Sequence, residues 1–140
     1  SVDGIWAIGD VALPSGGYTD GTLRVESVHH AQMSAEIAAT AMMGGIPKDH
    51  EVPWFWSEQY DKKLQSAGLY AADAEVVTRV GHREGAISFW AFDGGQLISV
   101  EAIGDPQAFM IGKTVLADGK LLTKEELADP EFILKDVLKR

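Results

Sequence analysis

The chain has 140 residues, with 12 Lys+Arg against 21 Asp+Glu, a formal net charge of −9 and no cysteine. With 46% hydrophobic and 24% charged residues it has the balance of a globular domain with one real core. The acidity speaks against nucleic acid and anionic membrane as partners, since phosphate binding needs clustered Lys and Arg. The absence of cysteine excludes disulfides, zinc–thiolate sites, iron–sulfur ligation by this chain and a catalytic thiol. No apolar run approaches the ~18 residues of a membrane-spanning helix. No signal peptide is visible, and a small disulfide-free chain fits the cytoplasm.

The chain opens Ser1-Val2-Asp3, without Met, and turns at once into an apolar run. That start points to a piece of a larger architecture. Residues 4–9 (Gly-Ile-Trp-Ala-Ile-Gly) read as a buried strand, parallel because no polar alternation appears. Residues 10–23, with Pro14, Gly16, Gly17 and Gly21, read as loop. A helix is expected over residues 27–43, with Ser27 as N-cap and Gly44-Gly45 as the stop. Its Ala31, Ala35, Ala38, Ala39 and Met42 share a face of small side chains suited to close packing. Residues 48–53 form a polar connector and the best domain boundary.

Residues 52–65, with Trp54, Phe55, Trp56, Tyr60 and Leu64, suggest extended structure with a bend. Residues 75–80 read as a strand. Residues 86–92 and 96–103 flank Asp93-Gly94-Gly95, a strong hairpin signal. Both faces of the first arm carry bulk, so the sheet is expected to be covered on both sides. Asp105-Pro106 starts a helix that should reach Ala117 and stop near Gly119. Thr123 and Glu126 fit a capping box, and Asp129-Pro130 starts a last helix to Lys139. Segregated strands and helices make the second part α+β.

Two constellations carry chemistry. A strand ending in Gly9-Asp10 puts a carboxylate at its carboxyl edge, where open α/β sheets bind ligands. Asp10 can accept hydrogen bonds from ribityl or ribose hydroxyls, although the dipeptide alone reads equally well as a turn. The helix start after Arg24 would bring orphan N–H groups to the same edge. The second constellation is Val52-Pro53-Trp54-Phe55-Trp56-Ser57-Glu58-Gln59-Tyr60. Core packing explains such aromatics, and so does an aromatic wall against a flat ring cofactor. Adjacent His29-His30 cannot share one metal in the i, i+4 manner, His50 and His82 lie elsewhere, and no metal site is expected. Tyr18, Ser27 and His30 make no nucleophile elbow. Lys62, Lys63, Arg79 and Arg83 read as solvated strand edges or, functionally, as a surface for an acidic partner.

Residues 5–10, the run Arg24-Val25-Glu26-Ser27-Val28-His29-His30-Ala31-Gln32, and Trp54-Phe55-Trp56-Ser57 with the sequel Leu64-Gln65-Ser66-Ala67-Gly68-Leu69 resemble the FAD-dependent NAD(P)H:ferredoxin reductases of bacterial dioxygenase and cytochrome P450 systems, which are related to rubredoxin reductase and apoptosis-inducing factor. The resemblance covers essentially the whole chain. It implies cofactor-binding roles for Gly9, Asp10, Val28, Trp54 and Trp56, with Asp10 on the ribityl–pyrophosphate part of FAD, Val28 opening a helix aimed at the isoalloxazine, and Trp56 closest to the ring. It implies FAD as cofactor, NAD(P)H as co-substrate, and a [2Fe–2S] ferredoxin and the rest of a reductase chain as partners. No catalytic acid–base residue is implied.

The two Gly-x-Gly-x-x-Gly fingerprints of such enzymes are missing, since neither Gly16-Gly17 nor Gly94-Gly95 has that spacing. The chain therefore looks like a C-terminal third. Residues 1–50 would be a strand–helix remnant of the α/β FAD-binding domain, and residues 51–140 the reductase C-terminal domain, an antiparallel sheet with helices. The chain alone is expected to be inactive, with Ile5, Trp6, Ile8 and the Ala/Met helix face left to be hidden by a homodimer or another fragment. The rival reading is a stand-alone interaction or dimerisation module.

Overall fold

The computed structural model describes residues 2–13, 15, 16, 19, 20, 23–48 and 51–140. The sequence readings at Pro14, Gly17, Tyr18, Gly21 and His50 lie outside them. The chain divides into two compact units, Ser1–Phe55 and Trp56–Arg140.

In the first unit a 3-10 turn, Gly9–Val11, is followed by a two-rung antiparallel pair, β1 (Ser15–Gly16) and β2 (Thr19–Asp20), and by helix α1 (Val28–Met42). The Ser27 hydroxyl accepts the N–H of His30 at 3.1 Å, so the expected cap forms. Gly44, at φ +72°, follows the last turn. Of the small face, Ala38 is buried, Ala31 and Ala35 are half-buried, and Ala39 and Met42 are exposed.

The buried strand expected over residues 4–9 does not form. Gly4 takes φ +78°, Ile5 N–H closes a turn onto Val2 O, and Ile5 is 72% exposed. A strand exists only through a neighbour's ladder, and among the described residues none pairs with this stretch.

The second unit is the body of a five-stranded antiparallel sheet with helices; Trp54 and Phe55, which open the sheet's first strand, group with the first unit. The strands are β3 (Trp54–Gln59), β4 (Lys62–Gly68), β5 (Glu75–Val80), β6 (Ile87–Asp93) and β7 (Gln96–Ile103), in the order β3-β4-β7-β6-β5. The bend expected within residues 52–65 is the β3–β4 turn, and Tyr60 there takes φ +55°. Gly94 and Gly95 have φ of +54° and +82°, the two positive values that a type I′ hairpin demands. Trp90 faces Val77 on one side and Val100 on the other, and Val100 faces Ala67, so one sheet face presents a continuous apolar row.

Helix α2 (Pro106–Asp118) lies over that row against β7 and β4. Asp105 caps its start by accepting Ala108 N–H at 3.0 Å, and Gly119 ends it in the left-handed region. Trp90, Val100, Phe109, Val115, Leu122, Leu127 and Val137 fill the core. Coverage of the sheet is complete under α2, whereas Val76 and Val80 on the opposite face of β5 are exposed.

Helix α3 (Lys124–Ala128) has the full Thr123/Glu126 capping box. The last helix departs from expectation. Asp129 Oδ1 accepts Glu131 N–H in a local turn, and only a 3-10 stretch, Leu134–Lys139, follows. Arg79 on β5 holds the irregular segment: its guanidinium donates to the carbonyls of Leu127, Asp129 and Phe132.

Candidate functional site

Four of the five residues singled out in the sequence, Gly9, Asp10, Val28 and Trp54, belong to the first unit, and Trp56 belongs to the second. Asp10 sits in the 3-10 turn and not at the edge of a buried strand. That turn packs on α1. Gly9, at φ +68°, donates its N–H to Ser34 Oγ at 2.9 Å, and Ser34 Oγ donates in turn to Ala31 O at 3.1 Å. Gly9 is needed for its φ and not for room, because an added Cβ would meet only Ala31 Cβ at 3.8 Å. The Asp10 carboxylate is left exposed at the start of this arrangement.

Val28 is the first residue of α1 and is exposed. The first N–H groups of a helix have no intrahelical acceptor. Ser27 takes that of His30, and among the described residues nothing is shown accepting from those of Val28 and His29, the kind of donor pair that suits a carbonyl or anion. The α1 start also reaches the aromatic run. The His29 ring lies 5.3 Å from that of Trp54 at an interplanar angle of 38°, and His29 Nε2 is 3.4 Å from Glu51 Oε2. His29 and Glu51 join this arrangement without any local sequence signal for it. Their contact spans 22 residues and leaves no periodic or motif signal.

Phe55 and Trp56 on β3, each 41% exposed, keep a large part of their rings at the surface. The donor pair and the carboxylate of the first unit have the chemistry to bind a carbonyl and hydroxyl groups, and the Trp56 indole of the second unit offers flat apolar surface. Among the described residues no group of His, Asp or Glu is placed to hold a metal ion, and no helix is long and apolar enough to cross a membrane.

The basic residues behave differently from a free docking patch. Lys62 pairs with Asp61 and Lys63 with Glu58, each at 3.0 Å, and Arg79 is occupied by three carbonyls. Lys62 holds the Asp61 carboxyl below the usual range, chiefly by its hydrogen bond. A cavity of about 390 Å³ between the β5–β6 loop, the start of α2 and residues 130–134 touches none of the five site residues.

A family model described as "Reductase C-terminal" matches residues 54–138. Rhodocoxin reductase of Rhodococcus erythropolis is 40% identical over 139 residues, which is 99% of this chain and 32% of that protein. The crystal structure of the ferredoxin reductase for the CYP199A2 system of Rhodopseudomonas palustris superposes with a TM-score of 0.82 at 37% identity, covering 92% of this chain and 32% of that one. The covalent putidaredoxin reductase–putidaredoxin complex superposes with a TM-score of 0.85 at 27% identity, covering 94% and 32%. The chain thus spans about a third of the length of the relatives it matches.

Proposed function

From a chain that belongs to the reductase C-terminal family, we propose a role as the C-terminal part of a cytoplasmic flavoprotein reductase that passes electrons from NAD(P)H through FAD to a [2Fe–2S] ferredoxin. The observation that carries this reading is the end-to-end match at 40% identity to a reductase three times as long. Residues 1–50 would complete the FAD-binding domain, and residues 51–140 would be the C-terminal domain. FAD, when bound, supplies the redox chemistry, taking a hydride and releasing single electrons.

The chain's own residues bind and shield. The N–H groups of Val28 and His29 would donate to a flavin carbonyl at the α1 start. Asp10, positioned by the Gly9 turn, would accept from ribityl hydroxyls. Trp54 and Trp56 would give the ring flat apolar surface and exclude water. No proton transfer by a side chain is required.

The test uses the full-length gene product. It should carry stoichiometric FAD, be bleached by NADH or NADPH, and reduce a [2Fe–2S] ferredoxin. The 140-residue chain alone should bind FAD weakly or not at all, because adenine and pyrophosphate contacts belong to a glycine-rich loop it lacks. A colourless full-length protein, or a yellow fragment with one FAD per chain, would overturn the reading.

A second reading rests on the exposed apolar side chains of the first unit, among them Ile5, Val11, Met43 and Ile46. So much apolar surface suits burial in a homodimer of the chain. Sedimentation equilibrium over a hundredfold concentration range decides it, and a monomer throughout rejects the dimer.

A further inference from the structure

We propose that His29 is a positioning residue for Trp54, with Glu51 setting the imidazole and the imidazole setting the indole; its importance for flavin rests on the function proposed above. The three residues lie in one compact unit. The His29 side chain is only 11% exposed, and the Trp54 ring packs against it. The centroid separation of 5.3 Å and the 38° tilt fall within the favourable range for ring pairs.

Volume alone does not explain the residue. His29 Nδ1 is buried without a hydrogen-bond partner among the described residues, a cost that Leu or Phe at the same position would avoid. What an imidazole adds is direction. A carboxylate can only accept, so the 3.4 Å contact with Glu51 assigns the N–H of the neutral ring to Nε2 and leaves Nδ1 as the acceptor. That choice fixes the ring about its χ2, and the indole packs against a ring with one orientation.

The path from Glu51 to Trp54 is short and stiff. Val52 and Pro53 between them are both buried, and Pro53 has its φ locked. Glu51 and Trp54 therefore grip the same imidazole from one stiff segment of the first unit. The exposed carboxylate of Glu51 does the steering, and the half-buried indole receives it.

The test is made on the 140-residue chain by NMR and needs no flavin. Long-range 1H–15N correlation of the imidazoles should show His29 protonated at Nε2. The Trp54 indole N–H resonance should shift in Glu51→Ala and in His29→Phe, while that of Trp90 in the other unit stays. The double variant decides the order of action: in the His29→Phe background, Glu51→Ala should no longer move Trp54. An Nδ1–H tautomer, a Trp54 resonance indifferent to Glu51→Ala, or equal Glu51→Ala shifts with and without His29 would each overturn the proposal. The tautomer of the unmodified chain and the Glu51→Ala shift remain decisive if His29→Phe fails to fold. A full-length protein without flavin would sink the reductase reading and leave this result standing.

Discussion

A Cβ placed on Gly112 would lie 2.8 Å from the Cβ of Val100. Helix α2 therefore rides on β7 with no room for a methyl group, and Trp90 Cζ3 closes the same gap at 3.1 Å. Neither neighbour can withdraw, since both are fully buried. Gly112→Ala should cost about 1–3 kcal/mol through overpacking, despite the better helix propensity of Ala. A urea melt should show a lower midpoint with an unchanged slope. A midpoint equal to or above that of the parent chain would mean that the helix can lift off the sheet.

Trp90 and Trp56 should separate cleanly when each is replaced by Ala. Trp90 is completely enclosed, and its indole N–H donates to Ser88 Oγ at 2.9 Å. Its loss should cost about 3–5 kcal/mol. Trp56 stands partly in solvent, so its loss should cost the fold much less. In the flavin-loaded reductase, Trp56→Ala should raise flavin emission and slow ferredoxin reduction, with ~0.5–1.5 kcal/mol of ring stacking removed beyond area burial. A thermal melt and a flavin emission spectrum for each variant make the comparison, and a Trp90→Ala protein with altered emission but an unshifted melt would refute it.

Arg79 should act as a clasp on the C-terminal segment. Its Nη1 donates to Leu127 O and Asp129 O at 2.9 and 2.8 Å, and its Nη2 to Phe132 O at 2.6 Å. One charged hydrogen bond of this kind contributes about 1.5–3 kcal/mol. Arg79→Ala should lower stability by at least that much and speed amide exchange in residues 127–137 ahead of the sheet. Arg79→Lys should recover little, since an ammonium cannot reproduce the planar fork. Uniform acceleration across the sheet and the tail would contradict a local clasp.

Acid should weaken the same region through Glu126. The Arg140 guanidinium at 2.6 Å, followed by the Thr123 backbone N–H at 3.1 Å, holds its carboxyl below the usual glutamate range. The folded value lies below the unfolded one. The stabilisation is therefore complete above the ordinary glutamate value of about 4.3 and is lost as pH falls through the folded value. Glu126→Gln keeps the capping geometry and removes the titration. It should lower Tm at pH 7 and flatten the acid side of the Tm–pH curve. An acid limb identical in the two proteins would assign acid sensitivity elsewhere.

Local signals in the sequence carried the second unit almost completely. Asp93-Gly94-Gly95 demanded a tight hairpin, and both glycines take positive φ. Asp105-Pro106 and Thr123 through Glu126 announced their helices by capping chemistry that acts within four residues. The failures lie where a distant partner decides. The apolar run at residues 5–8 has the composition of a strand, but strands depend on neighbours that composition does not reveal. Asp129-Pro130 has the form of a helix start, but the segment after it folds irregularly and is held by Arg79, fifty residues earlier. In the candidate site Asp10 and the tryptophans stood out by residue type and position, and Val28 only through the family resemblance. The join of His29 to Trp54 and Glu51 did not, because nothing local calls for it.

Strand β3 borders the sheet with β4 as its one strand neighbour among the described residues. A border of this kind is a template onto which a strand of another molecule can crystallise, and three aromatics at its head make that addition attractive. Its far half carries the opposite character: Glu58 is ion-paired to Lys63, and Asp61 to Lys62 follows at the turn. An incoming strand would have to dehydrate those charges, and the −9 net charge repels it at longer range. Colloidal behaviour is thereby tied to acidity. The protein should stay dispersed at neutral pH and clump as the solution nears its isoelectric point of about 4.7, where the long-range repulsion vanishes while the sticky border is unchanged.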